Sequence, residues 1–66
     1  MKANKNKPTV QLSGADGNAF DILGRVSAAL ARAGYSREDR DKYFEEANAG
    51  DYDHLLRVTM RWVDVK

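Results

Sequence analysis

No cysteine occurs in this chain of 66 residues, and for so short a sequence that constrains the fold more than any residue present. A single core of this size supplies only about 3–5 kcal/mol, so chains of comparable length usually add a disulfide, a structural metal or a second subunit. Without cysteine there is no disulfide, no thiolate zinc site and no thiol nucleophile, and the one histidine, His54, cannot build a histidine-rich metal centre. No cofactor and no metal are expected. A partner subunit is the remaining aid.

The formal net charge of +1 conceals an uneven distribution. Lys2, Lys5 and Lys7 lie in a polar leader, residues 1–7, that holds no sizeable apolar cluster to anchor it and is expected to be disordered. From Thr9 onward eight Lys or Arg face ten Asp or Glu, which leaves the remainder at −2. Glu38, Asp39, Asp41, Glu45, Glu46, Asp51 and Asp53 crowd its middle against only Arg40 and Lys42. Such a surface repels a phosphate backbone, so nucleic-acid binding, through the leader with Arg57 and Arg61, is the weakest of the alternatives. No apolar run approaches the roughly 20 residues that span a bilayer. The leader also lacks the apolar stretch of a secretory signal, so a cytoplasmic location with no membrane partner is expected.

One compact domain over residues 8–66 is expected, a small, mainly helical α+β fold in the order β-α-α-α. Thr9 to Leu12 alternate polar and apolar as a half-buried strand does, and residues 13–18 read as a turn. A first helix begins on Asp16 or Asn18 as cap and ends at Gly34, with Tyr35 placed to touch Leu30. Its arc of Ala19, Ile22, Leu23, Val26, Ala29, Leu30 and Ala33 is apolar, and Asp21, Arg25 and Arg32 oppose it. Ser36 caps a second helix that ends by Gly50, with Arg40, Tyr43, Phe44 and Ala47 as its apolar stripe. Glu38 and Lys42 stand at pairing distance on it. Asp51 caps a third, in which Tyr52, Leu55, Leu56, Val58, Thr59, Met60, Trp62 and Val63 share a side. Val63 to Val65 can turn extended and pair with Val10 to Leu12, giving the lone strand a mate; a symmetry copy is the other solution.

The stretch from Leu12 to Phe20 (LSGADGNAF), Ile22-Leu23-Gly24, and Gly50 to Leu56 (GDYDHLL) resemble a group of short uncharacterised proteins of bacteria, plasmids and phages. The likeness covers nearly everything after the leader. It implies a mobile-element context, in which small accessory and inhibitor proteins are common, and carries no activity with it.

Four constellations bear on function. Ser13, Gly14, Asp16, Gly17 and Asn18 follow a strand and open a helix, the order used to cradle anions, but no lysine follows, the P-loop spacing is missing and Asp16 repels phosphate; a structural turn accounts for them as well. His54, Arg57 and Arg61 share a helix face suited to a phosphate or an acidic partner, or are a solvated face in which Asp53 pairs with Arg57 and Asp64 with Arg61. The acidic residues Glu38, Asp39, Asp41, Glu45 and Glu46 can meet a basic surface on a target. Phe20, Gly24, Ser27 and Ala31 form a strip beside the apolar arc of the first helix, where a mid-helix glycine costs roughly 1 kcal/mol relative to alanine. That strip, with Val10 and Leu12 of the strand, is the expected homodimer interface, and a bulky residue at position 24 is expected to break the dimer or unfold the chain. No nucleophile and base can be assembled with a charge-stabilising group, so no enzymatic activity is expected. The leading expectation is a non-enzymatic protein that binds and modulates a host protein, such as a defence component; a small anionic-ligand or nucleotide-binding protein using residues 13–18 is the alternative.

Overall fold

The computed structural model describes residues 7–12 and 17–66. Its elements are β1 (Thr9–Val10), α1 (Ala19–Arg32), α2 (Arg37–Ala47), α3 (Tyr52–Trp62) and β2 (Asp64–Val65). The expected β-α-α-α order is present, and so is the last strand. The two strands run parallel, with Thr9 opposite Asp64 and Val10 opposite Val65. Parallel pairing needs a long crossover, and the three helices provide it. The ladder extends past the strands at both ends: the Asp64 N–H donates to the Pro8 carbonyl at 2.9 Å, Lys66 to Val10 at 2.9 Å and Leu12 to Lys66 at 2.8 Å.

This pairing corrects one part of the expected interface. Val10 is only 4% exposed and belongs to the core, so it is not a homodimer contact, and its strand finds its mate within the chain. Leu12 packs half-buried against the same core. Lys7, assigned above to the leader, reaches the Met60 carbonyl at 3.1 Å and the Asp64 carboxylate at 3.8 Å. The rest of the leader lies outside the described residues.

Each helix begins on a side chain that satisfies one of its orphan amides. Asn18 Oδ1 accepts from the Asp21 N–H at 2.9 Å, Ser36 Oγ from Asp39 at 3.1 Å and Asp51 Oδ1 from His54 at 3.0 Å. At the end of α1, Gly34 takes φ +97°, its N–H donates to Ala31 at 3.1 Å and the Tyr35 N–H donates to Leu30 at 3.0 Å. That pair of bonds is the Schellman ending expected from Gly34. Gly50 behaves differently. The second helix stops at Ala47 with Asn48 as cap, and Gly50 does not take positive φ. A Cβ there would lie 2.7 Å from His54 Cγ and 2.8 Å from His54 Cβ. The glycine is needed for close approach rather than to end a helix.

The core lies between the three helices, with the strand pair closing one side. From α1 come Ile22, Leu23, Val26, Ala29 and Leu30, from α3 Leu55 and Val58, and from α2 only Tyr43 and Ala47. The apolar stripes read from sequence are wider than the faces actually covered: Phe44 is 47%, Tyr52 46% and Met60 56% exposed, and Ala33 is exposed as well. At about 100° per residue Phe44 and Met60 stand beside Tyr43 and Thr59 rather than over the core. Arg40 lays its side chain along the same stripe, and its Nε is buried without a hydrogen-bond partner.

Inside the core one polar pair is fully enclosed. Tyr43 and Thr59 are each 0% exposed, and their hydroxyl oxygens are 2.8 Å apart. Burial pushes the Tyr43 phenol above its ordinary pKa, and the hydrogen bond to Thr59 works in the opposite direction. Trp62 closes this corner, its ring 5.8 Å from Tyr43 and 6.1 Å from Tyr35 in tilted, edge-directed geometries that aromatic pairs favour.

Candidate interaction surfaces

The carboxylates and cations singled out in the sequence are largely turned toward one another. Glu46, at the last turn of α2, faces α3: its Oε1 accepts from Trp62 Nε1 at 3.1 Å, and its Oε2 lies 3.7 Å from Arg61 Nη1. The Glu46 backbone carbonyl meets His54 Nε2 at 2.8 Å. A carbonyl only accepts, so Nε2 carries the hydrogen, and His54 acts as a side-chain cap on the end of α2. Gly50 makes room for that ring. Glu46, His54 and Arg61 therefore join α2 to α3, and their availability to a partner is reduced accordingly.

Arg57 pairs with Asp53 at 3.0 Å, as the helical spacing predicts. The expected pair of Arg61 with Asp64 is not formed. Arg61 turns to Glu46, and Asp64, carried into the strand, meets Lys7 instead. Glu38 and Lys42 form no ion pair among the described residues. On α2 the side chains of Glu38, Asp41 and Glu45 are exposed, whereas Asp39 is half-buried at the capped first turn. The acidic face thus retains three carboxylates of the original five.

Ser13, Gly14 and Asp16 lie outside the described residues. Gly17 takes φ +86°, and its carbonyl accepts the Tyr52 hydroxyl, which ties the start of α1 to the start of α3. The side chain of Asn18 already occupies the amide of Asp21. Both of these contacts serve the fold. Among the described residues no group of three His, Asp or Glu side chains is placed to hold a metal ion.

The strip on α1 is open. Phe20 is 81% exposed, Gly24 and Ala31 are exposed, and Ser27 is half-buried. Among the described residues, a Cβ added at Gly24 would meet no atom within 4 Å. None of the described helices approaches the glycine, so packing against one of them does not explain it.

A further feature was not singled out in the sequence. A cleft of about 310 Å³ runs between Thr9, Val10 and Gln11 on one wall and Arg25, Ala28, Ala29 and Arg32 on the other. The seven-residue spacing of Arg25 and Arg32 places both cations on one helix flank. Only the tertiary position of β1 turns that flank into a cleft. Among the described residues no helix is long and apolar enough to cross a membrane. No family model, curated protein or solved structure matches the chain.

Proposed function

We infer that the chain is a non-enzymatic interaction protein that self-associates through the outer flank of α1 and binds and modulates a protein target, in keeping with the mobile-element context of the proteins it resembles. The observation that carries this reading is Gly24. A glycine in the middle of a 14-residue helix costs roughly 1 kcal/mol against alanine, and here no atom of the described residues uses the space it leaves. Phe20, one turn earlier, leaves 81% of its surface in solvent. A second subunit packed on Phe20, Gly24, Ser27 and Ala31 accounts for both. The engagement of His54, Glu46, Asp51 and Asn18 in caps and interhelical bonds also favours a binding role over chemistry.

Sedimentation at micromolar concentration tests the assembly, using wild type and Gly24→Leu. The expected outcome is a dimeric wild type and a monomeric variant that still melts cooperatively, because the fold leaves space for the added side chain at its root. Of the two outcomes expected from the sequence, dissociation is therefore favoured over unfolding. A monomeric wild type, with a melt independent of concentration, would defeat the assembly reading. For the target, recovery of no specific protein at near-stoichiometric level from a bacterial lysate would count against it.

A further inference from the structure

The cleft beside β1 has the makings of a strand-addition site. Pro8, Val10 and Leu12 direct their backbone groups toward β2. In an extended chain the intervening residues direct theirs the other way, so Thr9 and Gln11 present N–H and C=O groups at the outer edge of the sheet. Among the described residues the Gln11 carbonyl has a single long contact, 3.5 Å from Arg25 Nη1, at the limit of hydrogen bonding. Unpaired strand edges of this kind are templates for another extended segment. The facing wall supplies the other requirements. Ala28 and Ala29 are small enough for a backbone to approach the helix, and Arg25 and Arg32 stand on either side of them.

The two arginines are not equivalent. Arg25 Nε donates to both carboxylate oxygens of Asp21 at 3.2 Å, so its charge is answered within the chain. Arg32 has neither a hydrogen bond nor an ion pair among the described residues. An occupant that brings a carboxylate to Arg32 while its backbone pairs with Thr9 and Gln11 meets both the cation and the outer backbone edge of the cleft. Strand addition of this form draws affinity from main-chain hydrogen bonds and selectivity from the side chains that flank them.

We propose that the cleft between β1 and α1 binds an extended, acidic segment of a protein partner, added as a strand along Thr9 and Gln11 with a carboxylate on Arg32. This rests on the reading of the chain as an interaction protein and gives that partner a chemistry. It does not depend on the Phe20 and Gly24 flank.

Selection from a displayed library of random twelve-residue peptides on the immobilised full chain tests the proposal. Enriched peptides are expected to combine β-prone residues with an excess of Asp and Glu, to shift the backbone amide signals of Thr9 and Gln11, and to bind Arg32→Glu at least tenfold more weakly. Arg32→Gln, which removes the charge without reversing it, should fall between; Arg32 is exposed, and circular dichroism checks that both variants keep the helical fold. No enrichment, peptides without acidic bias, or binding undiminished in Arg32→Glu would overturn the proposal. Competition by inorganic phosphate alone at similar affinity would also overturn it, reducing the cleft to an anion site. So would self-association that is lost in Arg32→Glu, which would make the occupant a second copy. Sedimentation of Gly24→Leu reads the other flank of α1, so failure of the assembly reading and failure of this one are seen separately.

Discussion

Removing the Thr59 hydroxyl measures how strongly one buried hydrogen bond joins α2 to α3. Thr59 and Tyr43 are both fully enclosed, and their oxygens are 2.8 Å apart. Valine at position 59 keeps the shape but strands the phenol hydroxyl away from water, which costs about 1–3 kcal/mol. Phenylalanine at position 43 strands the Thr59 hydroxyl instead. A helical threonine can turn to the carbonyl four residues back, here Leu55, so Tyr43→Phe should cost less, about 1 kcal/mol. The double variant leaves neither group stranded and should lose less than the two singles together, with a coupling of about 0.5–3 kcal/mol. For a core worth about 3–5 kcal/mol that is a large share, and each kcal/mol lowers Tm by about 4–8 °C at this size. Urea and thermal melts of the four proteins give the cycle. Alkali supplies a second readout: burial raises the Tyr43 pKa, so the unfolded phenol ionises first, and its stabilising contribution is intact below about pH 10 and is lost above it. Tyr43→Phe should therefore lose less stability than wild type as pH rises above about 10. Additive singles, or a Thr59→Val protein as stable as wild type, would refute the account of this pair.

Gly50→Ala should destabilise by about 1–3 kcal/mol, because the new Cβ meets His54 Cβ, which no side-chain rotation moves, and His54 Cγ, which moves only by giving up the ring's bond to the Glu46 carbonyl; about 0.4–1 kcal/mol returns through the stiffer unfolded chain. Unchanged or increased stability in urea would show that the close approach is not required. Glu46→Gln keeps an acceptor for Trp62 Nε1 and gives up only an exposed ion pair with Arg61, so it should cost less than about 0.5 kcal/mol, whereas Glu46→Ala should cost about 1 kcal/mol. Because the chain has one tryptophan, its emission reports the lost contact directly, and an unaltered spectrum in Glu46→Ala would contradict the assigned bond.

The features that were legible in the sequence are those whose causes lie within a few residues of one another. Asn18, Ser36 and Asp51 cap because a short polar side chain beside a helical run can reach an amide two or three positions on. Gly34 with Tyr35 signals a left-handed ending in the same local way. The strand pairing was half legible: Val10 to Leu12 and Val63 to Val65 both alternate suitably, but a choice between an internal mate and a symmetry copy depends on where three helices deliver the chain. The width of each apolar stripe was overestimated, since Phe44, Met60 and Tyr52 satisfy helical periodicity while only the crossing angles decide what is covered. The role of Glu46 was not legible. Read alone, it belonged to an acidic surface, and nothing local indicates that Trp62, Arg61 and His54, all from the next helix, converge on one residue.

The same distinction bears on where function resides. The inner arc of α1 is consumed by the core, which leaves its other flanks as the uncommitted surfaces of the longest element. One of them, around Phe20 and Gly24, is apolar and free of charge, and desolvation there has no ionic penalty, which suits contact with a second copy. The other, around Ala28 and Arg32, combines a cation with the polar edge of β1, which suits a charged, extended complement. Helix α2, by contrast, places Tyr43 and Ala47 in the core and Glu46 on α3, and presents mainly dispersed carboxylates. If α1 supports both contacts, they are thermodynamically separable: Gly24→Leu should abolish assembly while leaving affinity per subunit for an acidic peptide unchanged, and Arg32→Glu should do the reverse. A variant on either flank that weakened both would mean the two surfaces are parts of one interface, with the partner seated across them.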